Sequence, residues 1–410
     1  MVPSKGRSPF SPGAPVIPEL FVGRTEQIEQ IVDRGIKQVI AGKPMAFFIE
    51  GEYGIGKSSV ANLIRWVAAR EYGIFGIYAP LGSASDLKDV AEIILQQTIR
   101  AGYLDQTRWE SLRDKLAKYV GQQQLSLVGF GLNLNFDALK TDAPQIATHL
   151  GLLDFLGDVL ARLSSASQQA KGIMLVLDEI NGLAATREFS LFLKSLWEAN
   201  AADPERQLPL LLMLCGTAER KLEMIQQHEP VGRIFDLVRI EPLSAEEMEA
   251  FFRKAFGSVQ MTVDQGAMEE LKHFSAGFPR LMHLIGDACY WVDTDGVITE
   301  DEAVTGVIGA AEELGRKFVD AKVYDALQSK DYHNILRKIG QLSPSTTTFT
   351  RGQALAGLSD PEKQKFDNFL TKMKSLHVIR GAGVRGEYEF TNRMVRLYIW
   401  LRSRRKQGRD

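Results

Sequence analysis

The chain has 410 residues, too many for one typical hydrophobic core, so we expect two or three domains. Its composition, 45% hydrophobic and 24% charged, is that of a globular protein, and no apolar run reaches the ~18 residues that cross a bilayer, so no membrane partner is expected. The net charge of -2 hides an asymmetry: residues 316–410 hold 20 basic and 9 acidic side chains, a net of +11, and the remainder carries -13. This asymmetry predicts a basic module on an acidic body, and nucleic acid is the commonest partner of such modules.

The N-terminal 20 residues contain five prolines and lack the apolar core of a signal peptide. They predict an extended, partly polyproline-like arm over residues 1–20. The two cysteines, Cys215 and Cys289, lie in apolar stretches and indicate a reducing cytoplasmic location without a disulfide framework. The six histidines are scattered without metal-ligand spacing, so we expect no zinc site.

Strand and helix patterns alternate over residues 21–243, which predicts an α/β domain with a parallel sheet. Two continuous apolar runs, 172–180 and 208–217, suit strands that are buried on both faces. Residues 125–136 alternate apolar and polar positions through glycines, which predicts a β-hairpin inserted at about 124–136 that packs rather than contacts a substrate. Further strands are expected at 47–50 and 74–79, and helices at 25–40, 58–70, 86–101, 107–119 and 143–163.

The pattern becomes helical from residue 244, which predicts a helical lid over 244–315 and a separate basic domain over 316–410. Within the basic domain, helices are followed by "VIRGAGVRGEYEF" (Val378–Phe390), which predicts two strands joined by a glycine-rich wing. This order of elements is typical of a winged helix-turn-helix.

A complete Walker A pattern, Gly51-x-x-x-x-Gly56-Lys57-Ser58, lies between a predicted strand and a predicted helix. Its glycines let backbone N–H groups converge on phosphate oxygens, and the dipole of the following helix favours the same anion. Lys57 would reach the β- and γ-phosphates, and Ser58 would hold Mg²⁺. The residues expected to contact ATP or ADP in this loop are Gly51, Tyr53, Gly54, Ile55, Gly56, Lys57, Ser58 and Ser59.

Asp178 and Glu179 end the apolar strand that follows the Walker A pattern by about 120 residues. An acid at this place completes the Mg²⁺ site, and the next acid orients and deprotonates the attacking water. A pair of solvated acids is the alternative, but the preceding Walker A pattern favours a Walker B assignment. The adjacent Glu179 favours hydrolysis over binding alone.

These motifs resemble a known family. "FVGRTEQIE" (Phe21–Glu29) is similar to the hhGRExE box of STAND-type and archaeal-type P-loop ATPases, within or close to the AAA+ superfamily and near the origin-recognition and replication-initiator ATPases. "LDEI", "LCGTAER" and "FSAGFPRLMHLIGDA" follow in the order of that family, and "YEFTNRMVRLYIWLRS" resembles the end of its winged helix. The resemblance implies an AAA+-like P-loop sheet, a helical lid and a C-terminal winged-helix domain.

The resemblance also implies roles for residues outside the Walker motifs. Phe21, Val22 and Gly23 would line the adenine pocket, and Arg24 would lie beside the nucleotide. Pro279 and Arg280, in Gly-Phe-Pro-Arg, match sensor 2, which ties the lid to the γ-phosphate. A surface ion pair is the alternative for Arg280.

Two further residues are implied to act near the γ-phosphate. Thr217 matches sensor 1, which helps place the attacking water, although ordinary capping at a strand end is the alternative. Arg233 matches an arginine finger that acts on the ATP of a neighbouring subunit and makes hydrolysis depend on assembly. It could equally be a solvated arginine, because Arg220 and Arg239 are near in sequence.

Four arginines of the basic domain are candidates for contact with duplex DNA: Arg380, Arg385, Arg393 and Arg396. A wing with Arg380 and Arg385 would lie on the phosphate backbone while a helix enters the major groove. The alternative is that these arginines dock on the acidic body or on a partner. Aromatic residues do not interleave with them as a stacking platform requires, which favours duplex over single strands.

The sequence thus predicts an ATP-hydrolysing switch that assembles as a homo-oligomer on ATP binding and engages duplex DNA or a protein partner encoded nearby. The alternative is a nucleotide-bound adaptor that scaffolds a nuclease or transposase of a mobile-element or phage-defence system. A ring motor is disfavoured, because no convincing pore loop is present. STAND proteins usually carry ligand-sensing repeats, and no such repeat is seen, so sensing and output are expected in partner molecules.

Overall fold

The computed structural model describes residues 5–13, 20–103, 146–165, 170–202, 204, 207–342 and 347–407. The helix predicted at 107–119 and the hairpin predicted at 124–136 lie outside these residues. The chain forms two compact units. We call Gly23–Glu241 the sheet unit, and Pro242–Asp410 with arm residues 5–13 and Leu20–Val22 the helical unit. Among the described residues, no helix is both long and apolar enough to cross a membrane.

The sheet unit is built on five parallel strands in the order β2-β3-β4-β1-β5. Every residue of β3 and β4 is buried, as the two continuous apolar runs predict. The edge strand β5 was not predicted, because only Val238 of its four residues is buried and so short a segment shows no periodicity. The strands are β1 (Met45–Glu50), β2 (Ile74–Pro80), β3 (Gly172–Asp178), β4 (Leu210–Gly216) and β5 (Asp236–Arg239).

Helices connect the parallel strands, which confirms the predicted α/β architecture. The segment predicted as one helix at 25–40 passes through a π-helical stretch, Val32–Ile36. Threonine side chains cap two helices of this unit, Thr186 before α6 and Thr217 before α7. The helices are α1 (Thr25–Ile31), α2 (Lys37–Ile40), α3 (Lys57–Glu71), α4 (Leu87–Tyr103), α5 (His149–Ser165), α6 (Arg187–Ala201) and α7 (Ala218–Gln227).

The strand register brings the sequence motifs to one edge of the sheet. Glu50, the last residue of β1, lies opposite both Gly216 and Arg239, and Pro80 lies opposite Asp178. The carboxyl ends of the strands therefore line up. This edge is where parallel α/β sheets bind their ligands.

The first part of the helical unit is a group of four helices. Two of them begin with complete capping boxes, Ser244 with Glu247 and Thr299 with Glu302, which explains where these helices start. Two-residue strands, β6 (Thr262–Val263) and β7 (Val297–Ile298), pair in parallel between helices. The helices are α8 (Ala245–Gly257), α9 (Gln265–Ser275), α10 (Pro279–Val292) and α11 (Glu300–Leu314).

The described part of the N-terminal arm packs on these helices. Phe10 is 5% exposed, and its ring lies 4.8 Å from that of Phe256 in an edge-on contact. The backbone N–H of Ser11 donates to Nδ1 of His283 (3.1 Å), and Tyr290 donates to the carbonyl of Gly6 (3.0 Å). The sequence predicted an extended arm but gave no sign that a single aromatic residue anchors it.

The rest of the helical unit combines helices with a three-stranded antiparallel sheet in the order β8-β10-β9. The two strands predicted within 378–390 are present as β9 and β10, and we call this hairpin the wing. Assignment of the arrangement to the winged-helix class stays a prediction. The elements are a π-helix (Gly315–Tyr324), α12 (Lys330–Gly340), β8 (Thr348–Thr350), α13 (Arg351–Ala356), α14 (Asp360–Ser375), β9 (Ile379–Gly381), β10 (Glu387–Phe390) and α15 (Arg393–Gln407).

Candidate nucleotide site

The loop between β1 and α3 has the backbone that an anion cradle requires. Gly54 and Gly56 have φ of 79° and 103°, in the left-handed region that favours glycine. Gly56 is the N-cap of α3, so the first N–H groups of this 15-residue helix point toward the loop. The helix dipole adds to their attraction for a negative charge, and the loop is therefore shaped to hold phosphate.

Lys57 is the first residue of α3, and its ammonium group bends back over the loop. It donates to the carbonyls of Gly51 (3.0 Å) and Glu52 (2.9 Å). Burial lowers the pKa of Lys57, while the nearby Cys215 and Asp178 act in the opposite direction. Two backbone carbonyls thus hold the ammonium group within the phosphate loop, and phosphate oxygens could replace them as acceptors.

The two expected metal-site residues are in direct contact. The hydroxyl of Ser58 donates to Oδ2 of Asp178 at 2.5 Å, although 120 residues separate them in sequence. The hydroxyl of Tyr78 donates to the same oxygen, also at 2.5 Å. Burial, and next the charge of Asp178, raise the pKa of Tyr78 far above its usual value, so Tyr78 acts as a donor.

Tyr78 was missed by the sequence analysis. It lies in β2, in a run where an aromatic residue is an ordinary strand former. The only signal was its place two residues before the end of β2, and its meaning depends on the pairing of β2 with β3. Strand order is a tertiary property, so this signal could not be used from the sequence alone.

Glu179 follows Asp178 with a φ of 58°, which is strained for a residue with a side chain. Its backbone N–H donates to Oδ1 of Asp178 at 2.8 Å, and its side chain is exposed. A Cβ atom at Gly82 would lie 2.4 Å from Oε2 of Glu179, so the loop after β2 approaches this carboxylate closely. The exposed Glu179 carboxylate thus lies next to the loop after β2, while Asp178 is buried.

Thr217 lies beside the P-loop strand, immediately after Gly216, whose carbonyl accepts the N–H of Gly51 (3.2 Å). Its side chain caps α7 by accepting the N–H of Arg220 (3.3 Å). The capping alternative is therefore realised in this structure. A hydroxyl also donates one hydrogen bond, so capping leaves Thr217 able to contact a ligand.

The carboxylate of Glu50 links three elements behind the loop. Lys221 of α7 pairs with it, and Nε of Arg239 lies 3.4 Å from its Oε1. The side chain of Glu50 is only 12% exposed. This ion pair fixes the start of α7, and therefore Thr217, relative to the end of β1.

Arg24 is a buried residue with a left-handed backbone (φ 64°) and is 7% exposed. Its guanidinium donates to the carbonyl of Ile55 in the P-loop (3.3 Å) and to the carbonyl of Glu241. Arg24 thus joins the phosphate loop to the last residue of the sheet unit. Gly23, also in the left-handed region (φ 69°), precedes it.

The other family-implied pocket residues belong to the helical unit. Phe21 and Val22 are half-buried there, and Pro279 and Arg280 are the first two residues of α10. Arg280 is exposed. Gly277 precedes them with a φ of 76°, and a Cβ atom there would lie 2.5 Å from the carbonyl oxygen of Leu243, so the turn into α10 requires glycine.

Arg233 ends a short 3₁₀ segment, Glu229–Arg233, in the sheet unit. Its side chain is 80% exposed and lies 3.5 Å from Glu229. The two other candidates pair more closely within the unit, Arg220 with Glu223 at 2.7 Å and Arg239 with Glu50. Arg233 is therefore the candidate whose side chain extends furthest into solvent.

The four candidate DNA-contacting arginines differ in availability. Arg380 and Arg385 of the wing are exposed, with Arg380 also paired to Glu389 at 3.0 Å. Arg393 is half-buried, and its guanidinium donates to the carbonyl of His273 in α9.

Arg396 requires a correction. It is 2% exposed, donates to the carbonyls of Gly340 (3.1 Å) and Leu342, and lies over the ring of Phe390. Burial lowers its pKa to about 10. The expectation that Arg396 contacts DNA was wrong, because its side chain fills the interior of the helical unit.

The donors at the edge of the sheet fit Mg²⁺ with a nucleotide. The Ser58 hydroxyl and the Asp178 carboxylate are hard oxygen groups, and they already converge on one point. The adjacent loop supplies convergent backbone N–H groups and one ammonium group for phosphates. Asp178 is 2% exposed, so a cation there would meet a desolvated negative charge.

A comparison with protein families gives a match that covers this site. The model of the AAA ATPase domain matches residues 20–223, which include the P-loop, Asp178 and Thr217. Residues 20–223 therefore form an AAA ATPase domain. This result confirms the predicted relationship to AAA-type P-loop ATPases. No curated protein matches the sequence significantly.

Similar solved structures extend over nearly the whole chain. A Walker-type ATPase of Pyrococcus abyssi is 16% identical, with a TM-score of 0.55 over 92% of this chain and 96% of that one. The ORC2 protein of Aeropyrum pernix, solved in ADPNP and ADP complexes, is 14% identical, with a TM-score of 0.55 over 94% and 95%. At these identities the likeness shows a shared fold, of the kind that the sequence resemblance implied.

Proposed function

We propose that this protein is a nucleotide-driven switch that binds Mg²⁺-ATP at the carboxyl edge of its sheet and hydrolyses it. The observation that carries the proposal is the convergence of Lys57, Ser58 and Asp178, with Glu179 next to them. The ORC2 protein of Aeropyrum pernix binds ADPNP and ADP on a similar fold, which supports the same ligand class here.

Each residue has a distinct task in the proposed hydrolysis. Lys57 exchanges the carbonyls of Gly51 and Glu52 for phosphate oxygens and stabilises charge that develops on the γ-phosphate. Ser58 and Asp178 hold Mg²⁺, which neutralises the phosphate oxygens when bound. Glu179, which is exposed next to the buried Asp178, accepts a proton from the attacking water.

Thr217 and two arginines would link hydrolysis to assembly. The Thr217 hydroxyl orients the attacking water near the γ-phosphate. Arg280 contacts the γ-phosphate from the lid, and Arg233 reaches the ATP of a neighbouring copy of the chain, as its 80% exposure allows. Turnover should therefore rise with protein concentration.

The wing is the proposed contact with duplex DNA. Arg380 and Arg385 are exposed on it, and Val384 at its tip is 61% exposed. Arginines on such a hairpin contact phosphates and make binding fall steeply with salt. Arg396 has no part in this contact.

The proposal is tested by steady-state ATP hydrolysis at increasing protein concentration, with and without duplex DNA at ~100 mM salt. We expect specific activity to rise with concentration and with DNA. Arg233→Ala should remove the concentration dependence, and Lys57→Ala should abolish nucleotide binding. The matched control for Lys57→Ala is Lys43→Ala, which changes an exposed lysine before β1. A low rate that neither DNA nor concentration alters would contradict the switch.

A second candidate function is a slowly hydrolysing adaptor that scaffolds a partner effector. One observation favours it: three of the four candidate DNA-contacting arginines, Arg380, Arg393 and Arg396, bond within the helical unit. A basic domain whose charges stabilise its own fold has fewer left for DNA. Nucleotide-bound protein that fails to bind DNA at 50 mM salt and copurifies with the product of a neighbouring gene would support the adaptor.

A further inference from the structure

The buried carboxylate of Asp178 accepts three hydrogen bonds. Ser58 and Tyr78 donate their hydroxyls to Oδ2, each at 2.5 Å, and the N–H of Glu179 donates to Oδ1 at 2.8 Å. Asp178 is 2% exposed, so an ionised carboxylate there depends on such donors. Two of these donors come from the Walker motifs themselves, and the third, Tyr78, comes from the neighbouring strand.

The sheet geometry explains how Tyr78 reaches Asp178. In the parallel register of β2 and β3, Tyr78 lies opposite Val176 and Pro80 lies opposite Asp178. Residues two apart in a strand share a face, so the side chains of Val176 and Asp178 point the same way. The long side chain of Tyr78, leaning along β2, therefore meets the carboxylate of Asp178 at the carboxyl edge.

The donor from Tyr78 differs from that of Ser58 in one respect that matters for function. Ser58 is expected to take part in the metal site and to change partners when ligands bind. Tyr78 is attached to the rigid core of the sheet, where its neighbours Ile77 and Ala79 are both fully buried. Its hydroxyl can hold the Asp178 carboxylate in one orientation whatever the Ser58 hydroxyl does.

We propose that Tyr78 is a positioning residue of the nucleotide site, which orients and stabilises the Asp178 carboxylate for Mg²⁺. This inference rests on the proposed Mg²⁺-nucleotide function of the site and adds to it a residue outside both Walker motifs. Groups that hydrogen-bond a metal-site carboxylate typically change metal affinity 10- to 100-fold when removed. Removing the Tyr78 hydroxyl should therefore weaken the metal more than the nucleotide.

The test is Tyr78→Phe in the full chain, which keeps the ring and removes the hydroxyl. Mn²⁺ serves as the probe, because its unbound form is counted directly by electron paramagnetic resonance in the presence of ADP. We expect the Mn²⁺ affinity of the ADP complex to fall about 10-fold. ADP affinity measured with excess EDTA should stay within about 2-fold of the wild-type value.

Two further variants are compared with Tyr78→Phe. Tyr72→Phe, which changes a half-buried tyrosine directly after the far end of α3, should bind Mn²⁺ and ADP as the wild type does. Asp178→Asn should lose Mn²⁺ binding more completely than Tyr78→Phe, because it alters the carboxylate itself. Thermal unfolding of all variants establishes that the sheet unit is intact.

The outcomes separate this inference from the proposed function. If the wild type binds Mn²⁺ with ADP and Tyr78→Phe binds it as tightly or more tightly, the positioning role of Tyr78 is overturned. The proposed nucleotide site would still stand. Equal losses of Mn²⁺ and EDTA-resistant ADP affinity would mean that Tyr78 supports the fold only, and would also overturn it. Failure of the wild type to bind Mn²⁺ with ADP would overturn both proposals.

Discussion

Among the described residues, each unit buries one arginine, while the sheet unit buries one carboxylate, Asp178, and the helical unit buries two, Asp293 and Glu362. In the sheet unit, Arg24 and Asp178 are 7% and 2% exposed, and both contact residues of the Walker A motif. In the helical unit, Arg396 and Glu362 are 2% and 5% exposed, and their partners are helix ends. Burial of a charge alone therefore does not mark a ligand site.

The backbone conformation also differs between charged residues of the two units. Arg24 and Glu179 have φ of 64° and 58°, which non-glycine residues adopt at a cost of about 1–3 kcal/mol. Arg396 lies in the regular helix α15, and Glu362 is the third residue of α14 in a capping box with Ser359. A left-handed backbone thus occurs at two residues of the proposed nucleotide site, whereas Arg396 and Glu362 lie in regular helices.

Arg396→Ala is expected to have the largest effect on stability. It would leave the buried carbonyls of Gly340 and Leu342 without their donor and would remove the contact with Phe390, for a loss of about 4 kcal/mol. Arg385→Ala, on the exposed wing, should change stability by less than about 0.5 kcal/mol. Urea unfolding of the full chain measures both. If Arg396→Ala left stability unchanged but weakened DNA binding, Arg396 would lie on the surface. The contrast between Arg396 and Arg24 would then fail.

The stability that the Glu362 carboxylate contributes to the helical unit should depend on pH. Burial opposes its ionisation, but hydrogen bonds from Lys338 and Ser359 outweigh burial and hold its pKa at about 2. Since this is below the unfolded value of ~4.3, the carboxylate contributes stability that is complete above about pH 5 and is lost as pH falls toward 2. The full contribution is up to about 3 kcal/mol.

Comparison of Glu362→Gln with the wild type isolates this contribution. The difference in unfolding free energy should be constant from pH 7 to about 5 and should then shrink by about 1 kcal/mol per pH unit below about pH 4. Urea unfolding at pH 3 to 7 measures it. A difference that stayed constant down to pH 3 would show that the Glu362 carboxylate is not preferentially stabilised by folding.

Arg24→Lys should give a smaller effect, and on binding rather than stability. A lysine cannot donate in the forked geometry of a guanidinium, so the carbonyls of Ile55 and Glu241 would not both be held. We expect nucleotide affinity to fall about 10-fold, or about 1.4 kcal/mol. Titration with a fluorescent ADP analogue measures this change.

The control for Arg24 is Arg34→Lys, on the exposed face of the π-helical stretch that follows α1. It should bind nucleotide with wild-type affinity. If Arg24→Lys destabilised the fold by several kcal/mol but bound nucleotide normally, Arg24 would act as Arg396 does. The distinction between the two units would then fail.

The Walker motifs could be found from the sequence because their signals are local. Gly51 to Ser58 are contiguous, and Asp178 ends an apolar run, so the parallel direction of the strands brings both to the carboxyl edge of the sheet. Tyr78 was hidden because its role depends on which strands are neighbours. Edge strand β5 was hidden because its four residues carry no periodicity.

The basic C-terminal region was harder to predict because composition does not reveal orientation. Arg396 stands inside the run "MVRLYIW", in which Met394, Val395, Leu397, Tyr398 and Ile399 are all buried. A helix that is apolar on all sides is buried, and an arginine within it must be satisfied internally. That signal was present, but the surrounding excess of basic residues favoured a DNA contact.

The most direct test of the account is single-turnover hydrolysis of Mg²⁺-ATP by the wild type and Glu179→Gln, with ATP binding measured in parallel. Glu188→Gln, at an exposed position of α6, is the matched control. We predict that all three proteins bind ATP equally and that Glu179→Gln hydrolyses it at least about 100-fold more slowly. Equal hydrolysis rates for the wild type and Glu179→Gln would contradict the assignment of the catalytic edge.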